Sequence, residues 1–222
     1  MTEVNMKGKL IVIEGLDGSG KATQAKLLAR TLEKTQDKVT EITFPDYESQ
    51  SSALVQMYLH GEFGSRPDDV NAYAASAFYA VDRFASYKKN WGGLYNDGGI
   101  IIADRYATSN GIHQCSKLDE SEWDSYLEWL DDFEYKKLGI PAPDLVIYLK
   151  ADTEVSQKLM TGRYDGDESK KDIHEGDIEY LKRSQKAAAY CAHKLGWKTV
   201  ECVRNGQMRT IEDIHAEIMS LI

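Results

Sequence analysis

The segment Gly15-Leu16-Asp17-Gly18-Ser19-Gly20-Lys21 has the spacing G-x-x-x-x-G-K, in which glycines let successive backbone N–H groups converge on an anion. A short apolar run precedes it and a helical pattern starts at its end, so the helix N-terminus adds partial positive charge where those N–H groups point. Lys21 then reaches the outer phosphates of a bound nucleotide. The next residue is ordinarily Ser or Thr, a hydroxyl ligand for Mg²⁺; here it is Ala22, and Thr23, one position on, is rotated well round the helix. Two readings follow: Mg²⁺ held through water and another carboxylate, or a reduced metal affinity. Asp104 offers that carboxylate and favours the first. It ends the apolar run Ile100 to Ala103 and is followed at once by Arg105. A carboxylate there orients Mg²⁺ through water, and an arginine forks onto phosphate oxygens. In isolation the two residues would serve equally well as a structural ion pair; beside a phosphate loop they read as a site.

These residues need a scaffold that brings strand ends together. Leu10 to Ile13, Val39 to Phe44, Ile100 to Ala103, Asp144 to Leu149 and Lys198 to Val203 are short apolar runs that read as strands. Between them, helical spacing predicts helices over Lys21 to Lys34, Ala53 to Tyr58, Asp69 to Lys89, Ser121 to Lys137, Thr153 to Met160 and Gly176 to Leu195. A last helix starts near Thr210, where Thr210 and Asp213 have capping-box spacing. Strands apolar on both faces and separated by helices predict a three-layer α/β fold, with a five-stranded parallel sheet covered on both sides. In such sheets ligands gather at the carboxyl edge, where the loop and Asp104 both fall. Trp123, Tyr126, Trp129 and Leu130 lie at helical spacing and read as core. The polar stretch Thr161 to Lys171 has no apolar period and reads as a lid or a solvated loop.

Composition narrows the function classes. Lys and Arg number 27 against 36 Asp and Glu, a formal net charge of −9, which argues against a protein that coats nucleic acid or an anionic membrane. No apolar run approaches the length of a membrane span, and the polar N-terminus does not read as a signal segment. The three cysteines, Cys115, Cys191 and Cys202, lack metal-ligand spacing and suit reduced thiols, so the expected compartment is the cytoplasm. The 222 residues suit one large domain or two small ones.

Taken together, the loop Gly15 to Lys21, Phe44-Pro45, Tyr79-x-x-x-Arg83, Asp104-Arg105-Tyr106-x-x-Ser109-Asn110 and Pro143-Asp144-Leu145 resemble bacterial thymidylate kinases, in order and over almost the whole chain. The resemblance implies transfer of the γ-phosphoryl group of ATP to dTMP, with Mg²⁺, by a phosphate-loop nucleotide kinase whose 222 residues form a single domain with a short lid over 161–175. It implies that residues Gly15 to Thr23 and Arg204 meet ATP. Asp17 would take a hydrogen bond from the sugar 3′-hydroxyl, Tyr79 would stack on the pyrimidine and Arg83 would donate to the base O4. Phe44, Pro45, Leu59, Arg105, Ser109, Asn110 and Gln114 would complete the acceptor site. The catalytic set is Lys21, Asp104, Arg105 and a lid cation, for which Arg163 is the candidate; Asp172-Ile173-His174-Glu175 resembles the family's lid-closing motif. The family dimerises through helices, which implies a homodimer.

Some positions depart from the pattern. Tyr47 stands where many members carry an arginine, His113 where an aromatic residue crowds the sugar 2′ position, and Gly18 where one subgroup has a loop arginine. These keep two alternatives in play: a kinase for another pyrimidine nucleoside monophosphate, motivated by Tyr47 and His113, and a weakly active nucleotide-binding regulatory protein, motivated by Ala22. No Asn-Lys-x-Asp guanine motif occurs, which disfavours a GTPase.

Overall fold

The apolar run at Leu10 forms β1 (Lys9–Glu14), and its side chains are buried on both faces of the sheet. The structure is a computed structural model that describes residues 7–152, 155–156, 173–174 and 177–222. The other strands of this sheet are β2 (Val39–Thr43), β3 (Ile100–Asp104), β4 (Leu145–Lys150) and β5 (Lys198–Glu201). Their order is β2-β3-β1-β4-β5 and every pairing is parallel, as the apolar runs predict. The register sets Ile13 beside Asp104, so the phosphate loop leaves β1 next to the end of β3.

Alternation along β1 divides the core. Ile11 and Ile13 face a layer built with α1 (Lys21–Leu32) and α8 (Ile211–Met219), through Leu28, Ile147, Leu149 and Ile214. Leu10 and Val12 face the opposite layer, through Trp91, Tyr106, Tyr126, Ala188 and Cys191. That layer contains α3 (Ala72–Ser86), α4 (Gly92–Asn96), α5 (Ala107–Cys115), α6 (Trp123–Asp131) and α7 (Ile178–Lys194). A shorter helix, α2 (Ala53–Leu59), packs on α3 through Val55, Tyr58 and Ala75. Trp123, Tyr126 and Leu130 are buried and Trp129 packs against them, so the aromatic stripe is core.

Several boundaries shift for local reasons. The helix expected from Asp69 starts at Ala72 because Asn71 caps it, its side chain accepting from the Ala74 N–H at 2.9 Å. It passes into a π-helical turn over Tyr87–Trp91, and α6 does the same over Asp132–Lys137. The fifth run stops at Glu201. Val203 then opens a separate antiparallel hairpin of β6 (Val203–Arg204) and β7 (Gln207–Met208), turned by Asn205 and Gly206 with φ of 53° and 72°. Asn-Gly is the sequence signature of a two-residue turn with both central residues at positive φ. Thr210 caps α8 as its spacing predicts, its hydroxyl accepting from the Asp213 N–H.

Helix α5 has no counterpart in the sequence reading. Its residues, ATSNGIHQC, carry no apolar stripe because the helix is buried on nearly every side. Amphipathic period marks helices with one wet face, and α5 has none. The helix expected over Thr153 to Met160 lies outside the described residues except for 155–156, which are helical. Among the described residues, no helix is long and apolar enough to cross a membrane.

Candidate active site

Gly20, at φ 87°, turns the chain from the phosphate loop into α1, whose first turn carries no acidic residue. The positive end of the helix is therefore not offset from within, as an anion site requires. Lys21 is buried, and its Nζ donates to the Leu16 carbonyl at 3.4 Å and to Asp17 Oδ1 at 3.1 Å. Arg105 Nη2 donates to the same Asp17 Oδ1 at 2.6 Å. One carboxylate oxygen thus joins the loop lysine to the arginine at the tip of β3. Burial favours the neutral acid at Asp17, but the charges of Lys21 and Arg105 prevail and hold it well below the usual carboxylate range. Burial and the Arg105 charge push Lys21 down, against the pull of Asp17 and Asp104.

Arg105 adopts φ 67°, the left-handed region that a β-carbon resists. Its backbone N–H donates to the Ile13 carbonyl at 3.2 Å, extending the β1–β3 pairing one step past the strand. Its Nη1 lies 3.4 Å from Ser109 Oγ and 3.2 Å from His113 Nε2. Since a guanidinium only donates, His113 Nε2 accepts and Nδ1 carries the proton. Tyr180 agrees with that assignment, its hydroxyl lying 3.4 Å from Nδ1 and donating to the His113 carbonyl at 3.1 Å. Burial and the Arg105 charge take the imidazole down to about 3, so the ring is neutral near pH 7.

The remaining acceptor-site residues separate into those the structure gathers and those it does not. Ser109, Asn110 and Gln114 all lie on α5. The Gln114 amide is fully buried, and neither its oxygen nor its nitrogen has a hydrogen-bond partner among the described residues, which suits a polar ligand or water. Arg83 is buried on α3 and forks onto Glu134 of the π turn, Nε to Oε2 at 3.2 Å and Nη2 to Oε1. Asn110 Nδ2 joins the same Oε1 at 3.4 Å. Nη1 of Arg83 makes no hydrogen bond among the described residues and is the group left to address a base carbonyl. Tyr79 is half-buried and packs against the cluster of Val55, Tyr58, Leu59 and Ala75. Phe44 packs on Tyr106, and the Phe44–Pro45 peptide is cis. Leu59 meets the lid motif through its carbonyl, which accepts from the Ile173 N–H at 3.4 Å.

The structure does not bring Arg204 into this cluster. It sits on β6, 68% exposed, with Asp213 at 3.8 Å. Asp144 of the Pro-Asp-Leu motif is structural, accepting from the Leu10 N–H at 2.7 Å. Arg163 lies outside the described residues, as do Asp172 and Glu175 of the lid motif. His174 is described. Its Nε2 lies 2.8 Å from the Tyr58 hydroxyl, and its ring stacks on His113 with centroids 5.6 Å apart.

Three buried carboxylates escape the sequence reading. Glu134 pins Arg83; it falls four residues after Leu130 on the stripe of Trp123, Leu127 and Leu130, so a charge in an apolar row was its signal. Asp82 takes the Asp46 N–H at 2.8 Å and the Ser51 hydroxyl at 2.6 Å, holding the loop after Pro45. Glu14, fully buried at the end of β1, takes three donors from the N-cap and first turn of α5. Its signal was a carboxylate directly following four apolar residues in a strand covered on both faces.

Mg²⁺ fits this donor set. No cluster of three or more ligating side chains exists among the described residues. Nucleotide-bound Mg²⁺ needs only one or two carboxylates besides phosphate oxygens and water, and Asp104 at the sheet edge meets that need. Ala22 is solvent-exposed and brings no ligand.

A parallel sheet with a phosphate loop at its carboxyl edge, its lysine and the arginine at the tip of the neighbouring strand joined by one loop carboxylate, defines a phosphate-loop nucleotide kinase. Comparison with known proteins makes this specific. The sequence profile of the thymidylate kinase family matches residues 13–218. A thymidylate kinase of Mycobacterium tuberculosis is 31% identical over 85% of this chain and 87% of its own, and that of Plasmodium falciparum is 28% identical over 99% and 91%. Among solved structures, the Candida albicans thymidylate kinase superposes with a TM-score of 0.70 at 23% identity, covering 97% of this chain and 91% of its own. The chain belongs to the thymidylate kinase family, whose members are ATP-dependent nucleoside monophosphate kinases.

Proposed function

We propose that this chain transfers the γ-phosphoryl group of ATP to dTMP with the residues gathered around Asp17. Lys21 and the amides of Gly15 to Gly20 hold the β- and γ-phosphates, and Arg105 clamps the acceptor phosphate. Both Lys21 and Arg105 bond Asp17 at Oδ1, and among the described residues nothing bonds Oδ2, which remains to accept from the sugar hydroxyl. Tyr79 and Arg83 take the base, Gln114 and Asn110 the polar edge beside it. Asp104 would hold Mg²⁺, which when bound neutralises phosphate charge. An oxygen of the acceptor phosphate forms the new bond to Pγ as the bond from Pγ to the bridging oxygen of ADP breaks. That attacking oxygen is already an anion, so no general base is required. Positioning and charge stabilisation supply the rate. Arg163 from a lid over 161–175 completes the charge balance, in a single-domain, homodimeric, cytoplasmic enzyme.

The observation that carries the reading is the Asp17 bridge between donor-side Lys21 at 3.1 Å and acceptor-side Arg105 at 2.6 Å. The test is ADP formation from Mg-ATP with dTMP, dUMP, UMP, CMP, AMP and GMP as acceptors. A strong preference for dTMP supports it. Preference for another pyrimidine nucleotide would move the substrate to the alternative motivated by Tyr47 and His113, and ATP binding without acceptor-dependent turnover would overturn the reading.

A further inference from the structure

Glu14 lies outside every contact proposed for the nucleotides, yet it is fully buried and takes three hydrogen-bond donors. Its Oε1 accepts from the Tyr106 N–H at 3.2 Å, the Thr108 hydroxyl at 2.6 Å and the Ser109 hydroxyl at 3.0 Å, and the Ser109 Oγ also lies 2.9 Å from Oε2. All three donors lie just after Arg105, at the N-cap and in the first turn of α5. A carboxyl removed from water is costly, and it is retained here with both oxygens hydrogen-bonded.

The consequences for Arg105 run along two routes. Tyr106 is the next residue, so fixing its N–H fixes the peptide plane that sets ψ of Arg105 while φ stands at 67°. Ser109 forms the second route. A serine hydroxyl has one hydrogen, and here it points to Glu14, leaving the oxygen lone pairs to accept from Arg105 Nη1 at 3.4 Å. Glu14 therefore governs both the strained backbone of Arg105 and the direction of its guanidinium. The same contact means that Ser109 has no hydrogen to donate to a nucleotide while this arrangement holds.

We infer that Glu14 is a positioning residue for the acceptor-phosphate clamp, acting through Tyr106, Thr108 and Ser109 to hold Arg105 in its left-handed conformation against Asp17. This rests on the reading of Arg105 as the clamp. A left-handed non-glycine residue persists only where its surroundings over-determine it, and the Glu14 network is that determination.

The test is steady-state kinetics of Glu14→Gln, Thr108→Val and Arg105→Lys, singly and as the Glu14→Gln/Arg105→Lys pair, alongside thermal melts. Thr108 is buried and its hydroxyl meets Glu14, so Thr108→Val loosens the network without altering a proposed nucleotide contact, and it carries the test if Glu14→Gln fails to fold. Misplaced positioning groups cost up to about 100-fold, so we expect the KM for dTMP to rise by about 10- to 100-fold in Glu14→Gln, with a smaller rise in Thr108→Val and the KM for ATP within about twofold of wild type. Because Glu14 works through Arg105, Glu14→Gln adds little in the Arg105→Lys background. Equal rises in both KM values, or additive losses in the pair while Arg105→Lys alone is impaired, would overturn the role of Glu14 and leave the clamp standing. Unchanged dTMP kinetics in Arg105→Lys would overturn both.

Discussion

Replacing Glu134 with glutamine removes one charge from a pair that has no access to solvent. Arg83 is 1% exposed and Glu134 0% exposed, with Nε 3.2 Å from Oε2 and Nη2 on Oε1. Unit charges about 4 Å apart attract by about 4 kcal/mol at the effective dielectric of about 20 that suits protein sites. Independent experience with buried pairs gives the same scale, about 3–5 kcal/mol for deleting one partner, because the other charge is left buried alone. Glutamine keeps one acceptor for Arg83, which places Glu134→Gln at the lower end, about 3 kcal/mol, and Glu134→Ala at the upper. For a chain of this length each kcal/mol lowers Tm by about 2–4 °C, so Glu134→Gln should melt about 6–12 °C below wild type. The double variant Arg83→Met/Glu134→Leu, which replaces both charges by apolar groups, should lose less than either single charge deletion. Calorimetry or circular-dichroism melts of wild type, Glu134→Gln, Arg83→Met, Glu134→Leu and the double variant decide the matter. A fall under about 2 °C for Glu134→Gln, or additive losses in the double variant, would refute the view that this pair carries its weight through mutual neutralisation.

Other expectations follow from the same geometry. Lys117 donates to the Tyr58 hydroxyl at 2.7 Å and the Val70 carbonyl at 3.0 Å, and burial lowers it to about 7, against a weaker upward pull from Asp68. Above pH 7 the folded chain has released a proton that the unfolded chain keeps to about pH 10, so this group makes unfolding harder as pH rises across that window. The stability of wild type relative to Lys117→Met, by urea titration, should therefore grow from pH 7 to 10; a gap independent of pH would refute it. A β-carbon on Gly18 would stand 2.6 Å from the Ser156 carbonyl at φ 77°, so Gly18→Ala should strain the phosphate loop. Strain of about 1–3 kcal/mol corresponds to a rise in the ATP KM of about 5- to 150-fold, and an unchanged KM would show that the loop yields freely. His113→Phe keeps the ring but removes the acceptor for Arg105 Nη1 at 3.2 Å. One such bond from a charged donor, about 1.5–3 kcal/mol, predicts a loss in kcat/KM for dTMP of about 10- to 150-fold, readable in initial rates.

The parts of this molecule legible in its sequence are those encoded by neighbours. Gly15 to Lys21 is read from seven consecutive residues, and the strands at Leu10, Ile100 and Leu145 from runs of four to six. Helix α5 escaped because its polar residues are needed inside, so its periodicity carries no contrast between wet and dry faces. The pairings of Glu14 with Thr108, 94 positions away, and of Arg83 with Glu134, 51 positions away, depend on how layers stack. Local pattern flags such residues as charges in apolar rows but cannot name their partners. Resemblance reaches further and still assigns side chains more readily than main chain: Leu59 approaches the lid motif through its carbonyl oxygen.

The three cysteines, expected to be reduced thiols, are all free and all fully buried, two in one layer and one in the other. Cys115 on α5 and Cys191 on α7 lie in the layer that carries the proposed acceptor residues, whereas Cys202 follows β5 in the layer formed with α1 and α8. A thiol reagent can reach any of them only when its layer opens. The unmodified chain thus holds two sets of built-in reporters: labelling rates at Cys202 time the breathing of the phosphate-loop helix and its neighbour, and those at Cys115 and Cys191 time the helices that carry the proposed acceptor residues. Adding ATP or dTMP separately and watching which rate slows would show which half of the molecule each nucleotide tightens, without introducing a single probe.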